Sequence, residues 1–217
     1  MTAREEILRR VRTATSDVTA PRGSRDTTPV PQAGAPAREV TLRLFAENVA
    51  DYRATVVECE AAQVGEHVAA ALDGAACRRV VVPPGLDPAW TAALREGTTV
   101  VPESEAGSHH QLESSVDGVV TAAAVGIATT GTIVLDHRED QGRREITLVP
   151  DVHVCVVRAD QVVHDVPEAV ARLRPQGGSA RPLTWVSGPS ATSDIELDRV
   201  EGVHGPRTLI VVLAHGH

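Results

Sequence analysis

The sequence predicts an α/β fold with a mostly parallel central sheet covered by helices. Helical and strand-like segments alternate between residues 37 and 101, as they do when crossover helices join consecutive strands. The segments 79–82 and 98–101 contain near-continuous valine runs, which are typical of strands buried on both faces of a sheet. Aromatic residues make up only 2% of the 217 residues, so the core is expected to consist of Val, Ala, Leu and Ile.

Two parts of the chain are predicted. Residues 1–38 are expected to form an N-terminal helix and a flexible arm, and residues 39–217 a single α/β domain. The helix, at 3–12, has one apolar face made of Ile7, Leu8 and Val11. It is either a docking arm or a frayed terminal helix. The composition of 15–37, rich in Thr, Ser, Pro and Gly, indicates a linker or an extended surface segment.

The first half of the domain is predicted as three helix–strand pairs. Apolar residues recur at three- or four-residue spacing in the helical segments, and Pro88 suits a first helical turn. The predicted segments are a helix at 37–51, a strand at Ala54–Cys59, a helix at 61–72 that ends near Gly74, a strand at Arg79–Val82, a helix from Asp87 and a strand at Thr98–Val101.

The second half of the domain has shorter segments. The apolar stretch Asp117–Ala128 is compatible with a helix that runs into a strand, and Asp165 is a good N-cap for a helix. A charged connection between two short apolar runs indicates a hairpin or flap. The predicted strands are Thr132–Leu135, Ile146–Val149, Val152–Val157, Leu183–Val186 and Thr208–Leu213.

Charge and composition exclude several classes of function. All 21 basic side chains are arginine, so Schiff-base and P-loop lysines are excluded. The net charge is −8, and residues 1–25 carry +3, which leaves −11 on the remainder and disfavours nucleic-acid binding. Three scattered cysteines, Cys59, Cys77 and Cys155, form neither a disulfide framework nor a four-cysteine cluster site. No segment predicts a membrane span or a signal peptide, so the expected location is the cytoplasm.

The stretch from Val186 to Pro206 is the first candidate ligand site. It follows a predicted strand, and ligands of open parallel sheets bind beyond the carboxyl ends of strands. A capping box from Ser193 to Glu196 would expose backbone N–H groups to an anion. Candidate donors are Ser187, Gly188, Ser190 and Thr192, candidate acceptors are Asp194 and Glu196, and His204 is a candidate acid or base. The same residues are equally compatible with a helix cap and a turn.

The second candidate is the turn Gly126–Thr132, in which Thr130 and Gly131 either face a ligand or only shape the turn. A serine–histidine–aspartate triad built on His204 and Asp194 is disfavoured because the G-x-S-x-G motif is missing. No metal site is predicted. The adjacent pair His109–His110 and the terminal histidines lack the spacing of metal ligands.

Three stretches together resemble the LUD-domain family, and within it the lactate utilization proteins. They are Gly126–Leu135, Ser187–Glu196 and Gly202–Pro206, and the resemblance runs from about residue 40 to the last strand. It implies a fold like that of the ribose-phosphate isomerase and CoA-transferase-like (NagB/RpiA/CoA transferase-like) proteins. Relatives often have an acidic residue where this sequence has Thr129.

The resemblance also implies a function. The chain would be a non-redox component of an iron–sulfur protein system that oxidises L-lactate to pyruvate. It would hold no cofactor itself, because the clusters would lie in its partners, the iron–sulfur lactate utilization proteins A and B. Its site would bind a small carboxylate, another anion or the partner subunits. Two alternatives remain open at this point: a stand-alone enzyme on a sugar phosphate, an acyl-CoA or another small anion, and a purely structural assembly subunit.

Overall fold

The structure is a computed structural model, and it describes residues 3–17, 36–173, 181–189, 191–192, 200–201 and 205–216. Two compact units divide the chain, Met1–Ala33 and Gly34–His217. The described part of the first unit contains helix α1, Ala3–Ala14. The predicted helix is thus present, and its Ile7, Leu8 and Val11 side chains are exposed.

The second unit is an α/β structure, as predicted. The helices in its described part are α2 (Arg38–Asp51), α3 (Val64–Gly74), α4 (His109–Ser115) and α5 (Val166–Leu173). The strands are β1 (Thr55–Glu60), β2 (Arg79–Val82), β3 (Thr99–Pro102), β4 (Gly118–Ala122), β5 (Val125–Ile127), β6 (Thr132–Leu135), β7 (Val152–Arg158), β8 (Val162–Val163), β9 (Thr184–Val186), β10 (Ala191–Thr192), β11 (Val200–Glu201) and β12 (Thr208–His215). None of these helices has the length and hydropathy needed to span a bilayer.

A six-stranded sheet with the order β1-β12-β7-β4-β2-β3 forms the centre of the unit. Every neighbouring pair in it is parallel. The side chains of β12 alternate between two cores, with Ile210 and Val212 on one face and Val211 and Leu213 on the other. This period of two, with both faces apolar, explains why the valine runs of the sequence are nearly continuous.

The sequence did not predict a second sheet, with the order β8-β5-β6-β9. It packs on one face of the large sheet together with α2, and Phe45 of α2 is fully buried there. Helix α5 covers the outer face of the second sheet, where Ala169 is buried against Val125 and Ile127. Helix α3 covers the opposite face of the large sheet. The layers are therefore α3, the parallel sheet, the second sheet with α2, and α5.

Local sequence explains two of the helix starts. Asp165 Oδ1 accepts from the backbone N–H of Glu168 at 2.9 Å, which confirms Asp165 as the cap of α5. Asp87 caps in the same way by accepting from Ala89 N at 2.9 Å, but the helix it begins is a single 3-10 turn, Pro88–Trp90. The prediction of a longer helix at Asp87 was therefore wrong.

Two further predictions in the middle of the chain were wrong. The stretch 117–128 contains the two strands β4 and β5 and no α-helix. The apolar run Ile146–Val149 is not a strand, because Arg144–Thr147 forms a 3-10 helix. Ile146 is fully buried beneath α4 beside Leu112. Its apolar character therefore reflects packing in the core and not pairing in a sheet.

Candidate functional site

The turn at Thr130 and Gly131 closes the hairpin between β5 and β6. A single 3-10 turn, Ala128–Thr130, leads to Gly131, whose φ of 55° is left-handed. The turn is fastened to α2, because Asn48 Nδ2 donates to the carbonyl oxygen of Ala128 at 2.8 Å. A Cβ atom on Gly131 would lie 2.6 Å from the backbone of Asn48. Both the conformation and the close approach therefore favour glycine at this position.

Ser187 lies beside this turn. It follows β9, which pairs with β6, and its Oγ is 2.8 Å from Thr132 Oγ1. The Thr132 hydroxyl in turn donates to the Thr130 carbonyl at 3.2 Å. Thr132 has one hydroxyl proton, and when it donates this proton to the Thr130 carbonyl, Ser187 is the donor to Thr132 and keeps its own lone pairs free. The structure thus brings the two predicted site segments together at one end of the second sheet.

The sheet context of Ser187 differs from the sequence-based expectation. The strand before it, β9, is antiparallel to β6 and belongs to the second sheet. The expectation that Ser187 follows a strand of the parallel sheet was therefore wrong. Ser187 nevertheless lies beside the turn, because in this antiparallel pair the end of β9 meets the beginning of β6.

Gly188 adjoins the same helix as Gly131. Its φ is 82°, and a Cβ atom there would lie 2.5 Å from the carbonyl oxygen of Tyr52, the residue that follows α2. Both glycines thus place their backbones against the end of α2. The side chains of Thr130 and Ser187, in contrast, are exposed.

The remaining candidates belong to a part of the chain that is only partly described. Ser190, Asp194, Glu196 and His204 lie outside the described residues, and so does the predicted capping box from Ser193. The backbone of Thr192 belongs to β10, which pairs antiparallel with β11.

His164 was not singled out from the sequence, and it lies next to the turn. Its carbonyl oxygen accepts from Thr129 N at 3.0 Å, and its own N–H donates to Glu168 Oε2 at 3.0 Å. Its ring Nδ1 is buried and has no hydrogen-bond partner among the described residues. The backbone of His164 is therefore held on both sides, and its Nδ1 is available for a hydrogen bond. The sequence signal that could have identified it is its place directly before the cap Asp165.

A cavity of about 510 Å³ lies elsewhere, at the amino-terminal ends of β1, β7 and β12 and against α3. Its lining is mainly apolar, and His67 is its titratable residue. Strand amino ends are not where parallel α/β sheets usually bind ligands. We therefore assign the candidate site by its polar groups and not by cavity size.

The three cysteines are free, buried thiols. Cys59 and Cys77 belong to the core beneath α3, and Cys155 belongs to the core on the opposite face of the sheet. Burial, with a contribution from Asp117, raises the pKa of Cys77 to about 11. Burial is also the main reason that the pKa of Cys155 is about 12. Within the described ranges, no three His, Cys, Asp or Glu residues group in a way that suits a metal ion.

Comparison with known proteins gives consistent matches. The family model of the LUD domain matches residues 37–214, which run from the start of α2 into β12. Lactate utilization protein C of Deinococcus radiodurans is 46% identical over 185 residues, covering 85% of this chain and 84% of that protein. Lactate utilization protein C of Bacillus subtilis is 33% identical over 91 residues, covering 40% of this chain and 38% of that protein.

A solved structure agrees with these matches. The crystal structure of a DUF162 family protein from Deinococcus radiodurans aligns with a TM-score of 0.69 and 42% sequence identity. The alignment covers 83% of this chain and 99% of that one. Fold, sequence identity and the match over 37–214 lead to one conclusion: the chain belongs to the LUD domain family.

Proposed function

We propose that the chain acts in lactate utilization as a non-redox component of an iron–sulfur protein system that oxidises L-lactate to pyruvate. The observation that carries this proposal is the 46% identity to a lactate utilization protein C over 84% of that protein's length. The ligand is a small 2-hydroxy acid or a similar anion, bound where the turn at Thr130 meets Ser187.

The hydroxyl groups at this point suit such a ligand. Ser187 donates to Thr132 and so presents lone pairs, which accept from the hydroxyl group of a 2-hydroxy acid. The exposed Thr130 hydroxyl is a donor for the carboxylate. His164 adjoins the same turn, because its carbonyl oxygen accepts from Thr129 N.

The iron–sulfur clusters are assigned to the partners, proteins A and B. The cysteines of this chain lie in two cores on opposite faces of the sheet, so one cluster could not reach all three. Their raised pKa values favour the thiol form, whereas a metal ligand must be a thiolate.

Copurification tests the assignment to a complex. We expect the tagged full-length chain, isolated from its host, to carry iron–sulfur proteins with it, and deletion of its gene to prevent growth on L-lactate but not on pyruvate. The control is the same tag on the chain's α1 segment alone. If no iron–sulfur protein is recovered and growth on lactate is unchanged, the proposal is lost and the stand-alone enzyme becomes the better explanation.

Thermal unfolding tests the site. L-Lactate at a hundredfold excess over its dissociation constant should stabilise the chain by about 2.7 kcal/mol. Acetate, which lacks the hydroxyl group, should stabilise it less. Ser187→Ala should remove the difference between lactate and acetate, whereas Ser104→Ala, at an exposed serine of another turn, should preserve it. A Ser187→Ala protein that still distinguishes the two acids would contradict the role of Ser187. Absence of any response to lactate, pyruvate, phosphate or CoA would favour a structural subunit.

A further inference from the structure

The loop Asp136–Gly142, which follows β6 and is called the β6 loop here, crosses the carboxyl edge of the parallel sheet. The carbonyl oxygen of Glu139 accepts from Gly85 N at 2.9 Å, three residues beyond β2. The carbonyl oxygen of Asp140 accepts from Ala122 N, the last residue of β4, at 3.0 Å. This edge of a parallel sheet is where ligands of α/β proteins bind.

The β6 loop is held in one conformation. Gln141 Oε1 accepts from Asp136 N at 2.7 Å and from His137 N at 3.2 Å. The His137 ring connects the carbonyl of Gly142, at 3.0 Å, to Thr184 Oγ1 of β9, at 2.8 Å. A loop fastened in this way holds its side chains in place before any ligand arrives.

Two carboxylate oxygens of this loop are buried without a partner. Asp136 is 4% exposed; its Oδ2 pairs with Arg138 Nε at 2.7 Å, but its Oδ1 has no hydrogen bond to any described residue. Asp140 Oδ1 is also buried and unbonded, and Asp140 makes no ion pair within the described part of the chain. Burial chiefly raises the pKa of Cys155, and the charge of Asp140 adds to the effect, which places that charge close to the core.

The missing partner can be deduced from the charges. Arg138 balances the charge of Asp136, so among the described residues the negative charge of Asp140 is left uncompensated, and each carboxylate has one free acceptor oxygen. A buried carboxylate without a cation or hydrogen bonds is costly. An ammonium group carries one positive charge and three donors, which matches this deficit. The chain has no lysine, so a lysine ammonium at this place must come from another molecule.

We propose that the β6 loop binds a primary ammonium group, with Asp136 and Asp140 as its acceptors. The group belongs either to a free small amine or to a lysine of a partner protein. This site is separate from the one proposed for the 2-hydroxy acid. Thr132 begins β6 and Asp136 follows its last residue, so the two lie about 13 Å apart at the rise of an extended strand, which is longer than a lactate molecule. Failure of either proposal therefore leaves the other standing.

Thermal unfolding of the full chain with ethylammonium chloride tests the proposal. At a hundredfold excess over the dissociation constant, we expect the melting temperature to rise by about 5 °C or more. Sodium chloride at equal ionic strength and ethanol, a neutral molecule of the same size, should have no such effect. Asp140→Asn should abolish the response and, without any amine, raise the melting temperature by a few degrees because it removes an uncompensated charge. Glu139→Gln, at the exposed neighbouring acid, is the matched control and should respond as the wild type does.

Peptides distinguish the two sources of the ammonium group. A response to ethylammonium but not to acetyl-Gly-Gly-Lys-Gly-Gly-amide would support a free amine. A response to that peptide, but not to its norleucine counterpart, would support a partner lysine. Equal responses to ethylammonium and sodium chloride would overturn the proposal, and this comparison needs no variant. It would also be overturned if magnesium chloride at equal ionic strength stabilised more than ethylammonium, or if Asp140→Asn responded as the wild type does.

Discussion

Lowering the pH from 6.5 to 4 should reduce the free energy of unfolding by about 3 kcal/mol through His153 alone. This side chain is 2% exposed on β7, and its Nε2 lies 2.8 Å from Thr121 Oγ1. Burial lowers its pKa from 6.5 to about 4. At a pH between these two pKa values, the His153 side chain binds a proton in the unfolded chain but not in the folded protein. The stability is therefore present above pH 6.5 and is lost progressively as the pH falls towards 4.

Urea denaturation at half-unit steps from pH 7 to pH 4 measures this effect. His153→Gln replaces the imidazole by a group that does not titrate, so its stability should fall less steeply over this range, whatever its absolute value. His109→Gln is the control, because His109 is exposed on α4 and should leave the slope unchanged. Parallel curves for the wild type and His153→Gln would refute the assignment.

Gly131→Ala should destabilise the protein by about 3 kcal/mol. The residue needs a left-handed φ of 55°, and the new Cβ atom would lie 2.6 Å from the backbone of Asn48. A clash with backbone cannot be relieved by a rotamer change, so the turn would have to move away from α2. Because Thr130 precedes this glycine, we expect ligand binding at the turn to weaken as well.

Two other glycines separate the conformational effect from the steric one. Gly97 also has a left-handed φ, of 100°, but open space around its Cβ position, so Gly97→Ala should cost only about 1 kcal/mol. Gly74 ends α3 with nothing within 4 Å, so Gly74→Ala should stabilise by up to about 1 kcal/mol. Urea midpoints of the three variants provide the comparison. If Gly131→Ala destabilised the protein no more than Gly97→Ala does, the close approach of Gly131 to α2 would be wrong.

The sequence predicted those parts of the fold that depend on local pattern. The strands Arg79–Val82 and Thr132–Leu135 have the predicted bounds, because each is a short β-branched run between turn residues. The run Ile146–Val149 was misassigned because a short run with three apolar residues does not reveal whether it pairs in a sheet or packs beneath a helix. The second sheet was missed because β9 pairs with β6 some fifty residues earlier, a contact that local pattern does not encode.

In the candidate site, too, local sequence pattern predicted some residues, whereas others could be found only in the folded structure. Thr130 and Ser187 could be proposed from their motifs, and the structure places their segments side by side through the bond between Thr132 and Ser187. His164 and Asp140 were missed, because an unused ring nitrogen or a buried carboxylate oxygen is a property of the folded chain. Hydrogen-bond satisfaction depends on partners that are distant in sequence, so composition and spacing do not report it.

The end of α2 has a consequence for how this family can vary. Gly131 and Gly188 both rest on it, through Asn48 and Tyr52, so a rigid helix acts as the spacer between the two hydroxyl-bearing segments. Insertions in the loops beyond these glycines would leave that spacing intact, whereas a shift of one helical turn in α2 would alter it. Changes confined to the outer loops should therefore leave the distance between Thr130 and Ser187 unaltered.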